Sequence, residues 1–289
     1  MKKILVTGGA GFIGSSLCER LIQENNEVYS LDNYSTGFEK NHIDGVKYIK
    51  GSTLDIDKLI LFSPDVIYHL GEYSRVEQSF DDIETVFVSN KMGIFNVLQF
   101  CRKHGSKIIY AGSSTKFGDG GLGRSQSPYA WSKSSNTELV VNYGSWFNIP
   151  YAIAYFYNVY GEREISTGKY ATLIALFKEI SRKGEPLTVV KPGSQRRNFT
   201  HIDDIVNGIY KAWKKNLNKE YMLGNEKSYS VIEVAKMFNH RIKFIKEQKG
   251  ERFKSVMIDN KNNKLLNFKA KINLKDYIKT LEHKENILV

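Results

Sequence analysis

A chain of 289 residues, 41% of them hydrophobic, can bury the core of one large domain or of two lobes. Its 42 lysines and arginines against 31 acids give a net charge of +11. The lysines are scattered through 211–219, 236–254 and 261–279, as on a solvated face, and no reader motif accompanies them, so nucleic acid is not an expected partner. The N-terminus enters an apolar run at once, and no apolar run reaches the roughly 18 residues of a spanning helix, so no membrane is expected and the location reads as cytoplasmic. Cys18 and Cys101 suit reduced, buried thiols better than a disulfide framework, and no metal site is expected.

Ile4, Leu5 and Val6 form a continuous apolar run, the signature of a parallel strand covered on both faces. Thr7 to Gly14 follows, with glycines at 8, 11 and 14, where a strand should hand over to a helix. Gly8 suits a tight turn, Gly11 lets backbone approach a pyrophosphate, and Gly14 lets the helix sit close on the strand. The first turn of that helix would offer its N–H groups to phosphates. Glu27 to Leu31 is the next strand, and Asp32, 18 residues past Gly14, is placed to accept the hydroxyls of an adenine ribose, which favours NAD. Asn33, Ser35, Thr36 and Gly37 supply turn chemistry beside it.

Further strands are expected at 46–49, 66–70, 107–111 and 151–157, and helices at 55–62, 82–103 and 128–147. Ser127 is the N-cap of the last helix and Pro128 its first residue. This alternation predicts an α/β fold, a doubly wound parallel sheet with ligands at the carboxyl ends of its strands. Past Gly161 the rhythm breaks into a helix at 170–182, a strand at 187–190 and a helix at 202–214. Residues 1–165 therefore read as a dinucleotide-binding domain and 166–289 as a smaller C-terminal substrate lobe, with 196–214 returning to the first.

Tyr129 and Lys133 lie four apart on the first turns of the helix at 128–147, on one face. A phenol with a pKa of about 10 is a poor base at neutral pH, but an adjacent ammonium favours the phenolate and makes it usable. Ser113, 16 residues before Tyr129 and near a strand end, could hydrogen-bond the substrate oxygen. Such a pair is common on any helix. The nucleotide turn upstream and the serine at a strand end supply the context that gives it meaning.

Thr7 to Gly14, Asp32 to Gly37, Ser113, Tyr129-x-x-x-Lys133, Phe156 to Gly161 and Arg197 to Asp204 together resemble the extended short-chain dehydrogenase/reductases. The sugar-nucleotide epimerase and dehydratase branch is the most similar, over about residues 2–266. The resemblance implies a Rossmann sheet, tightly bound NAD, a nucleoside-diphosphate sugar as substrate and a homodimer built on the helices at 82–103 and 128–147. It makes Ser113, Tyr129 and Lys133 catalytic. Phe12, Ile13, Ser52, Thr53, Leu70, Gly71, Asn90, Ala111 and Phe156 join the glycines and Asp32 around the cofactor. Arg75, Ser114, Thr115, Tyr157, Asn158, Arg197 and Arg252 are placed at the substrate, with Asn158 and Arg197 on its diphosphate and Tyr157 near the nicotinamide end.

Departures from the family pattern narrow the expectation. Ser114 and Thr115 stand where dehydratases carry an acidic pair, so dehydration is not expected. Ser52 replaces an acid that touches adenine. Gln248 stands where relatives place a nucleotide-binding arginine, with Arg252 a substitute, which leaves the base open. The segment Gly118 to Ser127 is short, and Lys116 and Arg124 add cations near it. The expected reaction is NAD-dependent oxidation at C4 of a nucleoside-diphosphate sugar. Either the 4-keto product leaves and a 2-keto acid restores NAD, as in similar surface-polysaccharide and capsule enzymes acting on GDP-manno-heptose in campylobacters, or hydride returns to the other face in a 4-epimerisation. A non-catalytic NAD-binding redox sensor is the remote alternative.

Overall fold

The computed structural model describes residues 1–215, 217–246, 256 and 258–286. Seven parallel strands form the central sheet: β1 Lys3–Thr7, β2 Glu27–Asp32, β3 Lys47–Lys50, β4 Val66–His69, β5 Lys107–Ser113, β6 Tyr151–Phe156 and β11 Lys219–Leu223. Their order is β11-β6-β5-β4-β1-β2-β3. The order reverses between β1 and β4, and the crevice above such a switch point is where open α/β sheets take their ligands.

Two apolar layers cover the sheet. Ile4, Val6, Val66 and Tyr68 pack on one face with Leu17, Cys18 and Leu21 of α1 (Phe12–Gln23) and with Ile205 and Ile209 of α7 (Ile202–Lys215). Leu5, Ile67, Ile108 and Tyr110 pack on the other with Val97, Leu98 and Val140. Both cysteines are buried and unlinked, and burial pushes both thiols well above their usual range.

Several boundaries differ from the sequence reading. The helix at 55–62 is a turn of 3₁₀ helix at Thr53–Asp55 running into α2, Ile56–Leu59. The segment 82–103 is not one α-helix. It is α3 (Ile83–Val86), a π-helical turn at Phe87–Met92 and α4 (Gly93–His104). The break coincides with a tertiary contact: Asn136 Nδ2 donates to the Asn90 carbonyl at 3.0 Å, drawing on a backbone acceptor from the neighbouring helix. The helix α5 runs over Pro128–Phe147 as expected, with the Ser127 hydroxyl accepting the Ala130 N–H at 3.1 Å.

Beyond β6 the chain forms β7 (Val159–Tyr160), α6 (Leu173–Arg182, starting three residues later than read), β8 (Leu187–Val190), β9 (Arg196–Asn198) and β10 (Thr200–His201). After α7 and β11 come β12 (Ser228–Ser230), α8 (Val231–Met237), β13 (Ile242–Ile245) and α9 (Leu274–Asn286). Phe177, Leu187, Val189, Val234 and Ile278 give these pieces a core of their own. The chain's return to the main sheet extends past residue 214, because β11 pairs with β6 from Lys219 to Leu223.

Candidate active site

A cleft of about 880 Å³ opens above the carboxyl ends of β1, β2, β4, β5 and β6. Its floor is the first turn. Gly8 has φ +74°, and a Cβ there would lie 2.9 Å from Gly71 Cα. At Gly14 a Cβ would lie 2.0 Å from the Gly8 carbonyl oxygen. Gly11 is the N-cap of α1, and Gly8, Gly11, Phe12, Ile13 and Gly14 all face the cleft. Helix geometry turns the N–H groups of that first turn into the same space.

Asp32 stands across from this turn. One carboxylate oxygen accepts the Ala10 N–H at 2.9 Å and the other the Tyr34 N–H at 2.8 Å. These bonds fix the carboxylate, and each oxygen keeps acceptor capacity. Asn33, Ser35, Thr36, Gly37, Ser52 and Thr53 line the same end. Ser52 caps its own 3₁₀ turn, accepting the Leu54 N–H at 3.2 Å. Leu70, Gly71, Ala111 and Phe156 line the middle.

Ser113 closes β5, which runs two residues further than expected. Its hydroxyl oxygen accepts from Thr115 Oγ1 at 2.9 Å and from the Thr115 N–H at 3.3 Å, so its own proton can be donated into the cleft. Tyr129 and Lys133 face the cleft from α5. The Lys133 ammonium donates to the Ala111 carbonyl and to the carboxylate of Glu72, and it lies 4.5 Å from the Tyr110 ring centre. Ser114, Thr115, Arg75, Asn158 and Arg197 line the outer part. Arg75 is half-buried and donates to the Tyr170 carbonyl, and desolvation lowers its pKa. Asn158 donates to the Asn198 carbonyl at 2.9 Å. Arg197 lies on β9, with its guanidinium donating to the Arg196 carbonyl at 2.9 Å.

Three expectations need correcting, and one falls outside what is described. Asn90 does not line the groove. It is fully buried, accepting the Tyr73 N–H at 2.7 Å and donating to Ser132 Oγ at 3.0 Å, so it supports the loop after β4 from below. Tyr157 does not flank the cofactor either. The alternation of β6 that turns Phe156 into the cleft turns Tyr157 into the core with Tyr155 and Val256. Lys116 points away from the cleft, donating to Thr137 Oγ1 and the Tyr155 hydroxyl at 2.9 Å each, while Arg124 pairs with Glu138 at 2.6 Å. Arg252 and Gln248 lie outside the described residues.

Glu72 and Glu164, with Glu77 and Glu84, are acids that the sequence reading did not single out and that line the cleft. Glu72 follows Gly71, and its hydrogen-bond partners Tyr110, Lys133 and Asn136 come from β5 and α5, too far along the chain for a motif to show. Burial alone would raise its pKa, but Lys133 and His69 outweigh that and hold the carboxyl at about 2. Glu164 accepts from Thr172 Oγ1 at 2.6 Å and from the Gly161 N–H at 2.9 Å. Burial pushes it up to about 7.

A switch-point cleft with a glycine turn, an acid fixed at the end of β2, and a serine, a tyrosine and a lysine along it has the form of a dinucleotide-binding α/β fold. The comparisons agree. A family model described as the NAD dependent epimerase/dehydratase family matches residues 4–224. The chain is 31% identical over 257 residues to a UDP-N-acetyl-alpha-D-glucosaminuronate decarboxylase of Bacillus cytotoxicus, covering 81% of this chain and 78% of that one. It is 30% identical over 260 residues to UDP-glucuronic acid decarboxylase 6 of Arabidopsis thaliana, covering 83% and 74%. A solved UDP-glucuronic acid 4-epimerase from Bacillus cereus, in complex with UDP-glucuronic acid and NAD, superimposes with a TM-score of 0.88 at 27% identity, covering 99% of this chain and 100% of the other. The chain belongs to the NAD dependent epimerase/dehydratase family of extended short-chain dehydrogenase/reductases. It is an NAD-dependent enzyme of that family.

Proposed function

We propose that this enzyme is a nucleotide-sugar 4-epimerase, with Tyr129 as the base that takes the proton from the C4 hydroxyl. NAD, when bound, supplies the hydride acceptor and donor. The observation that carries the reading is the convergence of Ser113, Tyr129 and Lys133 on one cleft whose other end is the glycine turn and Asp32. The cradle suits a dinucleotide: Gly8 and Gly14 sit where any side chain would strike backbone, and Asp32 is held ready for ribose hydroxyls. Ser113 would donate to the C4 oxygen, and Lys133, one helical turn on from Tyr129, faces the same cleft. Asn158, Arg197 and Arg75 would face the diphosphate and sugar. Guanidinium groups suit phosphate oxygens.

The second reading is a 4-dehydrogenase that releases a 4-keto sugar, GDP-manno-heptose being one candidate, with NAD restored by a 2-keto acid for surface-polysaccharide synthesis. What favours it is the loop Ser114–Ser125, which kinks outward at Gly120 and Gly121, where a Cβ would meet nothing within 4 Å. The cations that would have strengthened it, Lys116 and Arg124, are tied to α5 and β6 and not to the cleft. Epimerisation is therefore the leading assignment.

The purified protein is incubated with UDP-glucose, UDP-glucuronic acid, GDP-mannose and GDP-manno-heptose, with and without 2-oxoglutarate. A C4 epimer formed without net NADH is the expected result. A 4-keto sugar with NADH that 2-oxoglutarate consumes would transfer the assignment to the dehydrogenase. NADH binding with no sugar conversion would leave a redox sensor.

A further inference from the structure

Glu72 is a carboxylate in a place where an NAD site has little use for one, and its surroundings say what it does. Its side chain is 3% exposed and that of Lys133 is 6% exposed. One oxygen receives Lys133 and the Tyr110 hydroxyl, the latter at 2.8 Å. The other receives Asn136 Nδ2 at 3.0 Å and faces His69 Nε2 at 3.5 Å. The tautomer of His69 follows from its neighbours. Thr7 Oγ1 accepts the N–H groups of Leu70 at 3.2 Å and Gly71 at 3.0 Å, so its own proton goes to His69 Nδ1, 2.8 Å away. The remaining Nε2–H stands 3.5 Å from the Glu72 carboxylate, a charge–dipole approach and not a formed hydrogen bond.

We propose that Glu72 is a positioning residue for the Tyr129–Lys133 pair: it holds the Lys133 ammonium at the carboxyl end of β5 and offsets its charge, which sets the pH range over which Tyr129 serves as base. The proposal rests on the assignment of Tyr129 and Lys133 given above. An ammonium has three N–H donors. Glu72 and the Ala111 carbonyl take two of them, which leaves one direction for the cleft. A lysine so held stays at the carboxyl end of β5 and does not range over the cleft on its four-carbon stem. A purely structural ion pair is a poor explanation, since burying two charges returns little net stability against an apolar pair of similar size.

The charges around the pair come from every neighbouring element. Lys133 reaches Glu72 from α5, Lys91 acts on it from the π-helical turn, and His69 and Tyr110 face it from β4 and β5. Arg75 acts on Tyr129 from the loop after β4, and Glu164 acts on Arg75. With Glu72 neutral, nothing among these replaces its negative charge beside Lys133, and the ammonium's field on the phenol would go unopposed.

Thermal unfolding of cofactor-depleted Glu72→Gln, Lys133→Met and the double variant gives a coupling free of turnover. The expected outcome is strong non-additivity, and additive losses would overturn the clamp. The second readout is the pH–rate profile on the nucleotide sugar that turns over in the panel above. Glu72→Gln should move its acid limb down by about one pH unit, the scale of a neighbouring charge. A limb that stays in place while stability falls reduces Glu72 to a structural role. Glu72→Asp keeps the charge but shortens the reach, so the limb should stay and kcat fall about tenfold with the sugar KM unchanged. Should Glu72→Gln not fold, wild-type kcat in Glu72→Asp would overturn the proposal. Failure of the underlying assignment looks different: near-normal rates in Lys133→Met and Tyr129→Phe, or no conversion of any sugar in the panel, whatever Glu72 does.

Discussion

Gly14 sits so close to Gly8 that a side chain of any kind would place its Cβ 2.0 Å from the Gly8 carbonyl oxygen, 2.8 Å from the carbonyl carbon and 2.9 Å from Gly9 Cα. All three are backbone atoms, so no rotamer change relieves the contact. Gly14→Ala must therefore push α1 away from the end of β1. We expect a loss of about 1–3 kcal/mol, the range for forced overpacking, and at least tenfold weaker NAD binding by titration calorimetry. Gly105→Ala is the control. Gly105 has φ +66° at the end of α4 with nothing within 4 Å of its Cβ, so it should cost about 1 kcal/mol and leave NAD binding unchanged.

Tyr129→Phe removes one oxygen from the helix face and nothing from the fold, since Tyr129 lines the cleft and is not part of either apolar layer. It should bind NAD normally and turn over sugar at least ~10²-fold more slowly, the usual loss for a positioned acid or base. Ser113→Ala removes the donor to the substrate oxygen and also the acceptor of two bonds from Thr115, so its kcat should fall with a modest drop in melting temperature. Stopped-flow absorbance at 340 nm separates binding from chemistry in both. Near-normal rates for Tyr129→Phe would remove the phenolate mechanism.

What could be read in the sequence was local. The turn from Thr7 to Gly14 is specified by its own residues, and Ser127 with Pro128 fixes the start of α5 from within the helix. The π-helical turn at Phe87–Met92 was hidden because the contact that coincides with it comes from Asn136, 46 residues from Asn90. Glu72 was hidden for the same reason, with Lys133 61 residues away. Tyr157 is set by a local rule. Neighbouring residues of a strand face opposite ways, so Phe156 and Tyr157 cannot both face the cleft, and the period of two places one in the cleft and the other in the core.

Glu72 and Glu164, both at the cleft, give the protein opposite pH dependences. Burial raises Glu164 from an ordinary 4.5 to about 7, so between those values the folded state holds a proton that the unfolded chain has released. Its contribution to stability is complete below about pH 4.5 and is lost as pH rises through about 7, by at most ~3 kcal/mol before solvent screening is allowed for. Glu72, held at about 2, contributes stability that is present above pH 4.5 and lost as pH falls through about 2. Melting temperatures of the wild type should therefore decline between pH 5 and 8 more steeply than those of Glu164→Gln, because glutamine has no proton to lose. Parallel curves for the two proteins would mean that Glu164 is not the group responsible.

The outer faces of the two long helical segments carry apolar side chains that an isolated chain would leave in water. Ile83, Phe87, Met92 and Phe95 are 50, 42, 51 and 40% exposed, and Trp131 on α5 is 42% exposed and stacks on Phe87 with ring centres 5.3 Å apart. An apolar face of this kind across two neighbouring helices suits a second copy of the chain, packed as a helical bundle. We expect a homodimer in sedimentation equilibrium. Met92→Glu with Phe95→Glu places charges where that interface would be dry, and neither residue lines the cleft. The variant should sediment near the 33.1 kDa of one chain while keeping its NAD affinity. A wild-type protein that is monomeric across the concentration range would show that this face has another use.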